Sequence, residues 1–332
     1  MDKSKPILVL GSNSFSGSSF IDELLTGGYK VIGVSRSKEI AKVFCAYHKN
    51  TYLHNFKFEQ IDLNGGAEII AELVRLNKIE FVFNFIAQSM VAQSWNSSEH
   101  WYQTNVVSTS ILANLLLKEK SIKKFIQFST PEVYGSMSGW VKETFEFAPS
   151  TPYAISRAAG DWHLKGLFTN YGFPVIFTRA SNVYGAGQQL YRIIPKAIFS
   201  ALVGQKLILH GGGKSVRSFI HINDVSSALT SILERGVVGA SYHISTRELI
   251  SIIDLVQILA LGLDKNIEEI IEIGPDRIGN DLAYQLDSDK IRNETGWNDE
   301  IDLNSGLQLT VDWIKSNLNS LKTFPSTYEH KR

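Results

Sequence analysis

The chain has 332 residues, 44% of them hydrophobic and 20% charged, which suits a folded globular protein of roughly two domains and excludes a disordered or fibrous chain. Lys plus Arg and Asp plus Glu both total 33, so the formal net charge is zero and gives no reason to expect nucleic acid or a membrane surface as partner. A single cysteine, Cys45, excludes an intrachain disulfide and fits a reducing, cytoplasmic setting.

In chain order, Met1–Pro6 runs into an apolar segment too short for a signal-peptide core, and no stretch reaches the ~18 uninterrupted apolar residues of a membrane span. Ile7–Leu10 is a continuous apolar run followed by the turn Gly11-Ser-Asn-Ser14-Phe15-Ser-Gly17, a helical pattern through Leu24 and Leu25, and a second run at Val31–Val34. Such a strand–glycine turn–helix–strand unit is where a dinucleotide pyrophosphate meets a helix N-terminus. Ser14 occupies the middle position of the G-x-x-G-x-x-G form, where its hydroxyl can donate to a phosphate. A ligand-free strand–helix turn would produce the same pattern.

The alternation continues through Phe56–Leu63, a helix around Ala67–Leu76, a strand over Glu80–Ile86 leading into Ala87-Gln88-Ser89, and a long helix at about 100–118. A further strand (Phe125, Ile126, Phe128) ends in Ser129-Thr130-Pro131-Glu132, and a loop of about 15 residues precedes Pro152-Tyr153-Ala-Ile-Ser-Arg157. Tyr153 and Arg157 are one helical turn apart on one face. A strand tip with Thr130 and Glu132 opposite a tyrosine beside a cation can move protons, given a hydride acceptor. Apolar strands separated by helices predict a parallel sheet covered on both faces, with ligands at the carboxyl ends. Gly11–Gly17, Ser35, Arg36, Asp62, Ala87–Ser89 and Thr130–Glu132 all fall at those ends.

After the strand Phe173–Arg179 and Asn182-Val-Tyr184-Gly185, the character changes to a Gly/Gln-rich loop and a helix at Ile193–Leu202. Phe219–Asp224 and Ser241–Ile244 are expected to return to the first domain. The fold expected is α/β: a Rossmann-type doubly wound parallel sheet with a smaller C-terminal α/β substrate lobe. Residues 1–185 with about 218–245 form the first unit, and 186–217 with 246–332 the second. Val34-Ser35-Arg36 has no carboxylate for an adenosine ribose hydroxyl, whereas Arg36 fits a 2′-phosphate, which favours NADP over NAD. The alternative is that Ser35 binds the ribose of NAD and Arg36 is solvated. Gly211-Gly-Gly213-Lys214-Ser215 lacks the earlier glycine of a P-loop, and the eight histidines have no metal spacing, so no metal is expected.

Taken together, these motifs resemble the extended short-chain dehydrogenase/reductase family, in particular the nucleotide-sugar 4,6-dehydratases. The dTDP-glucose enzymes look nearest and the GDP-mannose enzymes next. The resemblance runs through Thr104-Asn105, Arg179–Gly185, Arg217–Asp224 and the 276–284 segment (Asp276, Arg277, Gly279, Asp281, Tyr284). It implies that Tyr153 takes the sugar 4-hydroxyl proton as hydride leaves for the nicotinamide, with Thr130 bonding the same oxygen. Glu132 removes the C5 proton so that water leaves C6, and hydride returns to C6.

By the same resemblance Gly11, Ser14, Phe15, Gly17, Ser35, Arg36, Asp62, Leu63, Ala87, Ser89 and Asn105, with Tyr153 and Arg157, surround NAD or NADP. Gln88, Thr130, Asn182, Arg192, Arg217, Arg277 and Tyr284 surround a nucleotide-diphosphate sugar; Arg192 lines the base pocket or is a surface charge. The 4-epimerases of the family lack a carboxylate at the place of Glu132, while the UDP-glucuronate decarboxylases keep it. Pro131 replaces the aspartate of the dTDP-glucose enzymes, and Arg157 replaces the usual lysine. A non-catalytic nucleotide-binding homologue is the remaining alternative. Helices at about 100–118 and 153–168 are candidates for a four-helix homodimer interface.

Overall fold

The computed structural model describes residues 2–136, 139–275 and 285–330. The central sheet has seven strands: β1 (Ile7–Leu10), β2 (Val31–Ser35), β3 (Phe56–Gln60), β4 (Phe81–Asn84), β5 (Lys124–Phe128), β6 (Val175–Ala180) and β7 (Ser241–Ile244). Their order is β7-β6-β5-β4-β1-β2-β3, and every pairing is parallel. The chain winds outward in opposite directions from β1 and β4, which are paired through Leu10 and Asn84. A crevice therefore opens at their carboxyl ends.

Eight helices matter for the site and its support: α1 (Phe15–Thr26), α2 (Leu63–Asn77), α3 (Thr109–Leu116), α4 (Pro152–Tyr171), α5 (Ile193–Leu202), α6 (Ile222–Arg235), α7 (Ile252–Gly262) and α8 (Leu303–Leu321). Alternate residues of β1 explain the two layers, because successive strand side chains point to opposite faces. Ile7 and Val9 join Phe20, Ile21 and Leu24 of α1 and Val225, Leu229 and Ile232 of α6. Leu8 and Leu10 join Ile70 and Val74 of α2, Leu112 and Leu116 of α3 and Leu164 of α4. A separate core forms from Ile194 and Ile198 of α5, Leu255 and Leu259 of α7, and Leu307, Val311 and Ile314 of α8.

Three local features differ from expectation. The strand read through Asp62 stops at Gln60, and β3 is only partly buried because it is the sheet edge. The long helix is not uniform: Ser98–Tyr102 is α-helical, Gln103–Ser108 is a π turn, and α3 follows. Finally, among the described residues four two-stranded pairs accompany the main sheet, including Asn182–Tyr184 with Phe219–His221 and Trp140–Val141 with Gln285–Leu286. The three glycines of Gly211–Gly213 all have positive φ and lead to the strand Val216–Arg217, not to a helix.

Candidate active site

Gly11 turns the chain at φ +82°, and a Cβ there would lie 2.8 Å from the carbonyl carbon of Phe85. Gly17 is equally constrained: a Cβ would lie 2.4 Å from the Gly11 carbonyl oxygen. The turn can thus fold back onto β4 only with these two glycines. Ser14 caps α1, its Oγ accepting the Gly17 N–H at 3.0 Å, which leaves its own hydrogen free to donate. The first turn of α1 presents main-chain N–H groups that no earlier helical carbonyl can accept. This donor set fits a pyrophosphate.

Phe15 and Leu63 are buried in the two core layers, so only their main chains can face a ligand. Ser35 Oγ accepts the Asn13 N–H at 2.9 Å and is 3.2 Å from Ser12 Oγ, tying β2 to the glycine turn. Beside it, Arg36 is half-buried, with its carbonyl accepting from Gln60 at 3.1 Å. Asp62 caps α2, accepting the Asn64 N–H at 3.0 Å. Ala87 is half-buried and Ser89 exposed beyond the end of β4, with Gln88 buried between them.

Asn105 has a role that spacing does not reveal. Its Oδ1 accepts the Gln88 N–H at 2.9 Å, while Nδ2 donates to the Gln88 carbonyl at 3.0 Å and to Ser156 Oγ at 2.9 Å. Both amide hydrogens are therefore spent on protein. Asn105 thereby fastens the segment after β4 to α4. Ser94 adds a second fastening by accepting the Tyr153 N–H at 3.2 Å.

Thr130 caps the 3-10 turn Pro131–Tyr134, in which Pro131 takes the first position. Thr130, Glu132, Arg157 and Arg192 all act on Tyr153. Burial, followed by the Glu132 charge, holds the Tyr153 phenol above its usual range. Arg157, a hydrogen bond donated by Thr130, and Arg192 pull it down. Arg157 is buried, and its guanidinium donates to the Phe128 carbonyl and, at 3.5 Å, to the Ile86 carbonyl, bridging the ends of β5 and β4. Arg192 precedes α5 and stands 5.7 Å from the Tyr191 ring, with its charge acting on Tyr153 less than that of Arg157.

Asn182 donates to the Ser218 carbonyl at 3.2 Å, so it lies beside the segment that carries Arg217, whose guanidinium donates to the Val216 carbonyl at 2.8 Å. Arg277 and Tyr284 fall outside the described residues. One cluster behind the strand tip escaped the sequence reading. Asp161 accepts from Ser129 Oγ and from Arg179, each at 2.7 Å, with neither charged side chain exposed. The signal was present in the run Tyr153, Arg157, Asp161, which repeats every four residues along one face of α4. Among the described residues no group of three or more His, Cys, Asp or Glu could hold a metal ion. None of the described helices is long and apolar enough to cross a membrane.

Residues 8–310 match the family model for GDP-mannose 4,6-dehydratase. The chain belongs to this family of nucleotide-sugar 4,6-dehydratases, within the extended short-chain dehydrogenase/reductases. It is 30% identical to the dTDP-D-glucose 4,6-dehydratase of Homo sapiens over 98% of this chain and 94% of that one. It spans about half the length of the trifunctional UDP-glucose 4,6-dehydratases of Arabidopsis thaliana that it matches, with 30% identity over 95% of this chain and 48% of the relative. Among solved structures, the dTDP-glucose 4,6-dehydratase DesIV of Streptomyces venezuelae, with NAD and TYD bound, superposes with a TM-score of 0.88 at 29% identity, covering 95% of this chain and 98% of that one. The UDP-glucose 4-epimerase of Thermotoga maritima, with UDP-glucose, gives 0.85 at 27%, covering 94% and 99%.

Proposed function

We propose that this chain is a nucleotide-sugar 4,6-dehydratase that converts an NDP-hexose to the 4-keto-6-deoxy sugar with NAD(P) retained throughout. The observation that carries the reading is the meeting of Thr130, Glu132, Arg157 and Arg192 on one buried phenol, that of Tyr153. When bound, the oxidised dinucleotide supplies a reversible hydride acceptor and a positive charge. Tyr153 takes the 4-hydroxyl proton, helped by the two arginines and by the Thr130 hydrogen bond. Glu132 then takes the C5 proton, acidified by the 4-ketone, and passes it to the departing C6 hydroxyl. Pro131, buried beside it, carries no acid, so Glu132 serves as base and then as acid. A final proton at C5 balances the one Tyr153 removed.

Residues 1–185 with about 218–245 hold the dinucleotide in this reading, and 186–217 with 246–332 hold the nucleotide sugar through Arg217, Arg277 and Tyr284, with Asn182 reaching it from the first unit. Arg36, in a Val34-Ser35-Arg36 sequence without a carboxylate, favours NADP, while the solved DesIV relative carries NAD. A cytoplasmic homodimer completes the proposal. Its support is the exposure of Val107 and Ile111 one turn apart, and of Ile155 and Trp162 on α4.

The test is a panel of dTDP-, GDP-, UDP- and CDP-hexoses assayed by mass spectrometry, with the co-purified dinucleotide identified in parallel. Loss of one water without net consumption of cofactor supports the reading. Inversion at C4 with no mass change replaces it with an epimerase, and loss of carbon dioxide from a glucuronate replaces it with a decarboxylase.

A further inference from the structure

The chain continues beyond α8 along a path that no site residue named so far explains. Phe324, Ser326, Tyr328 and His330 are partly buried, while Pro325, Thr327 and Glu329 between them are exposed. This alternation is that of an extended segment with one face laid on the protein. Phe324 packs edge-on against Phe44 at 5.0 Å. Tyr328 packs edge-on against Tyr191 at 5.3 Å. At the far end, His330 stacks on Trp101 at 4.9 Å and 14°, and its Nε2 is 2.8 Å from Nδ1 of His100.

These anchors lie on opposite banks of the crevice. Phe44 belongs to the excursion between β2 and β3, whereas His100 and Trp101 belong to the helix that follows β4 and precedes the π turn. Tyr328, between them, lies within electrostatic reach of both Arg36 and Arg192. Arg36 stands at the end of β2, where a doubly wound sheet holds the adenosine half of a dinucleotide. Arg192 acts on Tyr153, where the nicotinamide half must reach. Packed on Tyr191 beside Arg192, and anchored by Phe324 after β2 and His330 after β4, the segment passes over the groove between the two halves.

We propose that residues 322–330 form a strap across the dinucleotide groove that slows escape of the bound dinucleotide, with Tyr328 and His330 as its groove-facing side chains. The inference rests on the dinucleotide-dependent reading above. It suits that chemistry, because a reaction that returns its hydride to the same sugar gains from keeping the cofactor in place and needs no exchange. Ring contacts and a histidine–histidine hydrogen bond tie down a segment that belongs to no helix or sheet, so it can open locally without unfolding the sheet.

The experiment compares the full chain with a form lacking residues 325–332, and with Tyr328→Ala and His330→Ala. Each is loaded with NADH or NADPH, and dissociation is followed by the loss of protein-to-nicotinamide fluorescence transfer after a chase with excess NAD or NADP. The deletion is expected to release dinucleotide at least about tenfold faster, and each single variant to release it faster than the full chain. Thermal melting of the dinucleotide-free forms checks that the deletion still folds. Equal dissociation rates in folded proteins overturn the strap, and so does tighter or slower-leaving dinucleotide in the deletion, which would make the segment a plug. If the full chain binds neither NAD nor NADP, the dinucleotide reading itself fails and takes the strap with it.

Discussion

Asp161 and Arg179 meet at 2.7 Å in the interior, one from α4 and the other from β6, with neither side chain exposed to solvent. Ser129, next to Thr130, donates to the same Asp161 oxygen, and the Arg179 guanidinium is stacked by Tyr134 and Phe147 at 5.4 and 5.0 Å. Removing one partner of such a pair strands the other charge in a low-dielectric surrounding. Asp161→Ala is therefore expected to cost ~3–5 kcal/mol of stability by urea unfolding. The double variant Asp161→Leu/Arg179→Met should recover part of that loss. A double variant no better than the single would mean that the charge itself is not the source.

Glu132 and Tyr153 should separate by the step at which each variant stops. Glu132→Gln is expected to lower turnover by ~10²–10⁴-fold while still allowing oxidation at C4. Reduced dinucleotide should then accumulate on the enzyme, visible by its near-ultraviolet absorbance. Tyr153→Phe should lower turnover by a similar ~10²–10⁴-fold with no reduced dinucleotide at all.

Two buried histidines set an acid limit. His243 accepts the Tyr134 hydroxyl at 2.7 Å through Nε2 and faces the Asp287 carbonyl through Nδ1 at 3.1 Å. Burial, and then the Arg179 charge, push its pKa down to about 3, and burial pushes that of His221 down to about 4. An unfolded histidine titrates near ~6.5, so below that pH the unfolded chain binds protons the native chain refuses. Stability should fall as pH drops from about 6.5 toward 4, by up to ~1.4 kcal/mol per pH unit for each histidine. Glu143 and Asp224, raised by burial, act in the opposite sense. The clean measurement is the difference between pH 7 and pH 5 urea midpoints, which His243→Gln should shrink.

Charge placed on the exposed apolar face tests the proposed dimer. Ile111→Glu with Trp162→Glu should yield monomers in sedimentation velocity, with the melting temperature of the dilute protein little changed. Unchanged dimers would move the interface elsewhere.

The central strands were legible because most are apolar runs separated by helical patterns, and α5 begins and ends at the residues its periodicity indicates. Two-residue strands such as Trp140–Val141 were not, since pairing with Gln285–Leu286 about 145 residues away decides them and no local preference does. The Tyr153–Arg157 spacing and the Thr130–Glu132 tip pointed to residues that the fold does bring together. The electrostatic reach of Arg192 to Tyr153 depends on a neighbour 39 positions back in the chain, and no local pattern encodes it.

The π turn at Gln103–Ser108 amounts to one residue too many for an α-helix. Deleting a residue there would restore regular winding and rotate everything on one side of the cut by about 100° relative to the other. Asn105 could then no longer face both Gln88 and Ser156. Gly160, whose missing Cβ would fall 2.6 Å from the Asn105 carbonyl oxygen, would lose the close approach it permits. Sequence length within this one turn is thus fixed by the distance between two other segments, and a single-codon deletion there should be strongly damaging.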